Sequence, residues 1–168
     1  MGRTGRGLSD LSRSRPEGLG LAAKGVQLLC TDLYDRLGYQ REDLIVGGFS
    51  QGAMVAAELA FRSREPLRAL VLLSGTPVDE QSWLQGMRFR RGLPVFIAHG
   101  RQDDVLPFRG AERLQQTMRE IGLQVTWVPF NGGHETPAEV VAALNQFLAG
   151  LDGAALTTGR NSAAIQRY

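Results

Sequence analysis

The chain has 168 residues, a length that suits one domain, and 43% of them are hydrophobic, which is enough to build a core. Its formal net charge of +2 gives no indication of a nucleic-acid partner or of binding to an acidic membrane surface. A single cysteine excludes an internal disulfide, and the chain shows neither a signal peptide nor an apolar run of membrane-spanning length, so we predict a cytoplasmic protein.

The first 15 residues are rich in Gly, Ser and Arg, and we predict that 1–15 form a disordered basic tail. Its arginines are interpreted as solvated, because no aromatic residue is interleaved with them: Arg3, Arg6, Arg13 and Arg15. The domain is predicted over 16–150, and 151–168 are predicted to be a flexible C-terminal tail.

Apolar residues at helical spacing predict a first helix from about Pro16 to Leu37, and Gly38 is a natural stop. Apolar runs then predict four strands, and segments with helical spacing follow three of them. The predicted strands are 43–49, 69–73, 93–98 and 123–130, with helices from the first strand to about Arg64, over 109–121 and over 137–148. This alternation is typical of the α/β class, with a mostly parallel sheet of about four strands flanked by helices.

Between the first strand and its helix lies Gly48-Phe49-Ser50-Gln51-Gly52, a G-x-S-x-G pattern in strand–turn–helix context. Such a turn is a nucleophile elbow, which exposes a strained serine at the carboxyl edge of the sheet. We expect Gly48 and Gly52 to prevent collisions with the crossing helix. The Gln51 amide, at the helix N-terminus, is the expected oxyanion donor.

A serine hydroxyl needs an adjacent base, and the chain has only two histidines. His134 lies in a Gly-rich loop before the last helix, from which an imidazole can reach Ser50, whereas a structural role is expected for His99 at a strand end. The base needs a carboxylate partner, and Asp103 or Asp104 follows the third strand on the same edge. Asp79 and Glu80, after the second strand, are weaker alternatives.

GFSQG, HGRQDDVLP and NGGH, in this order, resemble the phospholipase/carboxylesterase family, which includes acyl-protein thioesterases and small bacterial carboxylesterases. The resemblance covers roughly 17–150 and implies an α/β-hydrolase fold with Ser50 as nucleophile and His134 as base. The family's H-G-x-x-D pattern places the acid on Asp103. Its G-x-x-H pattern fits only loosely, because its glycine falls on Asn131.

The family also begins with strands and an L-H-G-x-G-D-type loop that supplies a second oxyanion donor. Residues 1–24 contain no counterpart, so the strand before Ser50 is expected to be a sheet edge. Three explanations stay open: a shortened form of a longer hydrolase, an edge that pairs with another chain, and a protein without activity.

The function predicted from the sequence is hydrolysis of a small acyl ester or thioester through Ser50, His134 and Asp103, with lysophospholipids as a further substrate class. No cofactor or metal is expected, because two histidines without neighbouring ligands make a poor metal set. Trp83, Leu84 and Met87 either line an acyl groove or pack against the sheet. The alternative function is an impaired hydrolase acting as an interaction module, with a homodimer through the sheet edge.

Overall fold

The computed structural model of the chain describes residues 15–38 and 40–157. These ranges contain nine helices and strands, with a short 3-10 turn at Arg41–Asp43. They are, in chain order, α1 (Leu19–Leu37), β1 (Ile45–Phe49), α2 (Gln51–Arg62), β2 (Ala69–Leu73), α3 (Glu80–Arg88), β3 (Pro94–Gly100), α4 (Phe108–Ile121), β4 (Gln124–Phe130) and α5 (Ala138–Thr157).

The four strands form one parallel sheet in the order β1-β2-β3-β4, which confirms the predicted α/β class. β2 and most of β3 are buried, as expected for strands covered by helices on both faces. One core cluster joins residues of α1, α2, α3 and α4 to one face of the sheet. A smaller cluster joins α5 to the opposite face through Val71, Phe96, Ala98, Phe130 and Val140. Because all strands run in the same direction, their carboxyl ends meet at one edge of the fold.

The last helix is longer than predicted. α5 continues to Thr157, so the first part of the predicted C-terminal tail is helical. The run Ala154-Ala155-Leu156 consists of good helix formers, which the polar surroundings obscured. The remainder of that tail, and residues 1–14 of the predicted basic tail, lie outside the described residues.

A buried carboxylate connects α2 to its surroundings. Glu58 is 1% exposed, and its oxygens accept hydrogen bonds from the Trp83 indole N–H of α3 and from Arg15, each at 2.7 Å. The expectation that Arg15 is merely solvated is therefore wrong, because its guanidinium compensates a buried charge.

The C-terminal end of α2 is held by Arg90, which follows α3. Its guanidinium donates to the carbonyl oxygens of Ala60, Ser63 and Glu65 at 2.7–2.8 Å. These bonds satisfy carbonyls that a helix end and the loop after it leave without helical partners. Burial is the main cause that lowers the pKa of Arg90, and nearby Glu65 opposes it.

Among the described strands, β1 pairs with β2 alone, so it is an edge strand as predicted. Its side chains Ile45 and Phe49 are 38% and 40% exposed. The neighbouring helix α1 exposes Leu29, Leu33 and Leu37, which follow one another at one-turn spacing. No helix in the described part of the chain is both long and apolar enough to cross a membrane.

Candidate active site

Ser50 lies between the last residue of β1 and the first residue of α2, in the strained conformation predicted for it. Its φ is 54° and its ψ is −118°, a region that residues with a side chain rarely adopt. A Cβ atom on Gly48 would lie 2.3 Å from the carbonyl carbon of Gly52, so only glycine fits at position 48. Gly52 differs from the expectation: a Cβ there meets nothing within 4 Å in the described structure.

A continuous series of hydrogen bonds joins Ser50 to two residues from distant loops. The Ser50 hydroxyl lies 2.8 Å from Nε2 of His134, and Nδ1 of the same ring lies 2.8 Å from Oδ2 of Asp103. Because a carboxylate can only accept, Nδ1 carries the proton and Nε2 is free to accept from the serine. The Phe49 ring packs against the imidazole with a centroid distance of 4.9 Å.

Asp103 is held by the backbone of its own loop. Its Oδ1 accepts the amide N–H groups of Val105 and Leu106 at 3.0 and 2.8 Å. Burial opposes ionisation of Asp103, but the bonds from Leu106, His134 and Val105 outweigh it and leave the pKa below its ordinary value. Asp103 is thus kept ionised beside the imidazole, whereas Asp104 is exposed.

The loop that carries His134 rests directly on the end of β3. A Cβ on Gly100 would lie 2.2 Å from the carbonyl oxygen of Gly133 and 2.4 Å from that of Gly132. The amide of Gln102 also donates to the Gly132 carbonyl at 2.9 Å. The acid and base loops are therefore in backbone contact, which requires that residue 100 has no side chain.

A second contact fixes the base loop from the side of β2. Ser74, the residue after β2, has φ 48°, and its hydroxyl donates to the backbone carbonyl of Glu135 at 3.4 Å. Sequence reasoning missed both Ser74 and Phe49 as parts of the site. Their positions at the carboxyl ends of β2 and β1 are the signal that could have indicated them.

The hypothesis of an acyl groove lined by Trp83 and Met87 is not supported. Both side chains are fully buried in the core, where the Trp83 ring packs against Phe61 and its N–H binds Glu58. The structure therefore favours core packing, the alternative that the sequence left open. Leu84 is partly exposed on α3.

The alternative acids after β2 have other partners. Asp79 accepts a hydrogen bond from Arg62 at 3.0 Å, and Glu80 lies 3.3 Å from Arg113. Neither carboxylate is brought to His134 by a contact of the described structure.

Gln51 is the first residue of α2, so its amide belongs to the turn whose N–H groups have no helical acceptor. The first turn of α2 contains no acidic side chain. The position next to Ser50 therefore combines an available donor with the positive end of the helix dipole.

Comparison with known proteins shows which family the chain resembles. Residues 17–151 match the phospholipase/carboxylesterase family, which is most of the chain. The chain belongs to this family. Esterase PE8 has a similar structure, with a TM-score of 0.71 and 28% identity over 84% of this chain and 67% of that one. Acyl-protein thioesterase 2 of Zea mays shares the fold, with a TM-score of 0.68 and 24% identity over 85% of this chain and 70% of that one.

Curated relatives in the phospholipase/carboxylesterase family match over shorter stretches. Acyl-protein thioesterase 1 of Neurospora crassa is 24% identical over 66% of this chain and 47% of its own length. The mouse lysophospholipase-like protein 1 is 29% identical over 55% of this chain and 39% of its own length. The chain thus spans about half the length of the curated relatives that it matches.

Proposed function

We propose that this chain is a serine hydrolase that cleaves carboxylic esters or thioesters through an acyl-enzyme intermediate. The supporting observation is the series of hydrogen bonds from Ser50 through His134 to Asp103, each 2.8 Å long. His134 accepts the hydroxyl proton as Ser50 attacks the acyl carbonyl, and it then returns this proton to the leaving alcohol or thiol. Asp103 holds the ring in the tautomer that can accept and stabilises the imidazolium that forms.

Negative charge develops on the carbonyl oxygen during this attack. The Gln51 amide is the proposed donor to this oxyanion, assisted by the dipole of α2. A second donor is expected from outside the described residues, as the family resemblance implies. Because loss of one oxyanion donor lowers turnover by about 10²–10³, a site with the Gln51 amide as its one donor would be slower than a site with both donors.

The substrate class rests on the relatives. Their names describe acyl-protein thioesterases and a lysophospholipase-like protein, so acyl chains in ester or thioester linkage are the proposed substrates. Substrates that carry the same acyl chain as a simple ester, as a thioester or within a lysophospholipid would separate these classes by their relative kcat/KM values.

Covalent labelling with a fluorophosphonate probe tests the mechanism, because the probe reacts only with an activated serine. We expect the unmodified protein to be labelled and Ser50→Ala to be unlabelled. Ser82→Ala is the matched control, since Ser82 lies on α3 and makes no contact with the site residues in the described structure, and it should be labelled like the unmodified protein. Equal labelling with and without Ser50, or no labelling of the unmodified protein, would contradict the proposal.

A second candidate function is that of an interaction module, which the exposed edge of β1 favours. We propose a second copy of the chain as occupant: antiparallel pairing of the two β1 edges would continue the sheet and cover Ile45 and the α1 leucines. Light scattering after gel filtration should show a dimer that Ile45→Lys converts to a monomer. Val141→Lys, at a similarly exposed position on α5, should leave it intact. A monomer at all concentrations contradicts this candidate.

A further inference from the structure

A second histidine lies beneath the acid of the site. His99, the next-to-last residue of β3, is completely buried, and its ring faces Phe108 at a centroid distance of 6.1 Å. Its Nε2 lies 2.9 Å from the carbonyl oxygen of Leu106 and 3.2 Å from Oδ2 of Asp103. Oδ2 is the same carboxylate oxygen that binds His134.

The partners of His99 determine which nitrogen carries its proton. A carbonyl oxygen can only accept, so Nε2 is protonated and donates to Leu106. Nδ1 is buried and has no hydrogen-bond partner in the described structure, which fits a neutral ring without a proton there. Burial is the main cause that lowers the pKa of His99, against the opposing influence of the Leu106 carbonyl, of Asp103 and of the Gly75 backbone. The ring is therefore a neutral donor.

The titratable groups that act on His99 are Asp103 from its own loop and His134 from the loop after β4. Two imidazoles thus place N–H groups near one oxygen of Asp103, one from the buried side and one from the site. A donor close to Oδ2 reduces the negative charge that this oxygen presents to His134. It also attaches the turn around Leu106, whose amide holds the other oxygen of Asp103.

We propose that His99 is a positioning residue for the acid: it orients the Asp103 loop and moderates the charge that Asp103 presents to His134. The role rests on the proposed function, since it acts through the acid and base of that site. It goes beyond packing, because an apolar side chain of similar size would fill the same volume without an N–H near Oδ2. The donor thereby limits how strongly a proton is retained on His134 after the serine is activated.

Replacement of the donor tests this role. In His99→Leu the carboxylate of Asp103 loses the buried N–H, so its attraction for a protonated His134 increases. We expect the acid limb of the pH profile of fluorophosphonate labelling to move to higher pH by roughly 0.5–1 unit, which lowers the labelling rate at a fixed pH on that limb by about threefold to tenfold. His99→Gln, whose amide nitrogen can occupy the place of Nε2, should restore the limb. Lower labelling in both variants with unmoved limbs would overturn the proposal.

NMR supplies a readout that needs no catalysis. The proton between His134 and Asp103 should resonate further downfield in His99→Leu than in the unmodified protein, because the second N–H near Oδ2 of Asp103 is then removed. An unchanged or upfield resonance contradicts the role. In the unmodified protein, the nitrogen shifts of His99 should report a proton on Nε2 throughout the range where the base titrates. A His99 proton on Nδ1 would overturn the proposal even if no variant folds. Failure of the proposed function is separate, since it appears as absent labelling of the unmodified protein.

Discussion

Substitution of Gly100 by alanine tests whether the contact between the acid and base loops aligns the site. A Cβ at this position would lie 2.2 Å from the carbonyl oxygen of Gly133 and 2.4 Å from that of Gly132. An ordinary van der Waals contact begins at 3.4 Å, so these backbone atoms have to move by about 1 Å. Because they directly precede His134, the imidazole moves with them.

The expected effect is on reactivity more than on stability. A displacement of about 1 Å at a reacting group can lower a rate by about 10², whereas overpacking of this kind costs about 1–3 kcal/mol of folding free energy. The assay is the second-order rate of fluorophosphonate labelling at Ser50, together with hydrolysis of p-nitrophenyl acetate. Urea unfolding of the same samples measures the loss of stability independently.

Gly133→Ala is the matched control in the same pair of loops. A Cβ there meets only the carbonyl oxygen of Gln102, at 3.9 Å, so this variant should be labelled at close to the unmodified rate. If folded Gly100→Ala reacts within about threefold of the unmodified protein, the loop contact does not align the base and the reasoning fails.

Three further predictions concern stability. Arg90→Met removes the donors to three backbone carbonyls and should lower the free energy of unfolding by about 2–4 kcal/mol in urea titrations, whereas exposed Arg88→Met should change little. Trp83→Phe deprives buried Glu58 of its indole donor, so we expect a loss of about 1–3 kcal/mol by the same measurement. An unchanged midpoint would show that Arg15 and Arg62, which also contact Glu58, suffice without the indole. The pKa of Asp103 is lower in the folded state than the value of about 3.9 in the unfolded chain, so its ionised form stabilises the fold above that pH. This contribution is lost as the pH falls through the pKa of the folded state, so the destabilisation by Asp103→Asn should shrink between about pH 5 and pH 2. A cost of the substitution that does not depend on pH would refute this.

The strands and the elbow were predictable because their signals are local. Apolar runs marked β2 to within a residue, and the G-x-S-x-G pattern indicated the strain at Ser50, since both depend on neighbours in the chain. α3 was missed because Gly86 weakens helix propensity there. The fold needs that glycine: a Cβ on it would lie 1.7 Å from the Phe61 carbonyl of α2.

The contacts that arrange the candidate site are not local, and so the sequence could not predict them. The closeness of Gly100 to the loop before His134 depends on the register of β3 and β4, which pair Gly100 with Phe130. The position of His99 under Asp103 depends on the path of the loop after β3. The choice between an acyl groove and core packing for Trp83 and Met87 stayed open for a similar reason, because the spacing of apolar residues does not show whether a helix face contacts a substrate or a sheet.

In the part of the chain that the structure describes, β1 has an unpaired side, and the nucleophile directly follows its last residue. A strand that docks along Ile45–Phe49 would restrain the backbone up to the peptide bond of Ser50. Occupancy of the edge and reactivity of the serine would then be thermodynamically linked. Docking of the strand would change the affinity of Ser50 for an adduct-forming ligand by some factor. By reciprocity, the adduct would change the affinity of β1 for the docked strand by the same factor. A transition-state analogue would therefore serve as a probe of assembly as well as of chemistry.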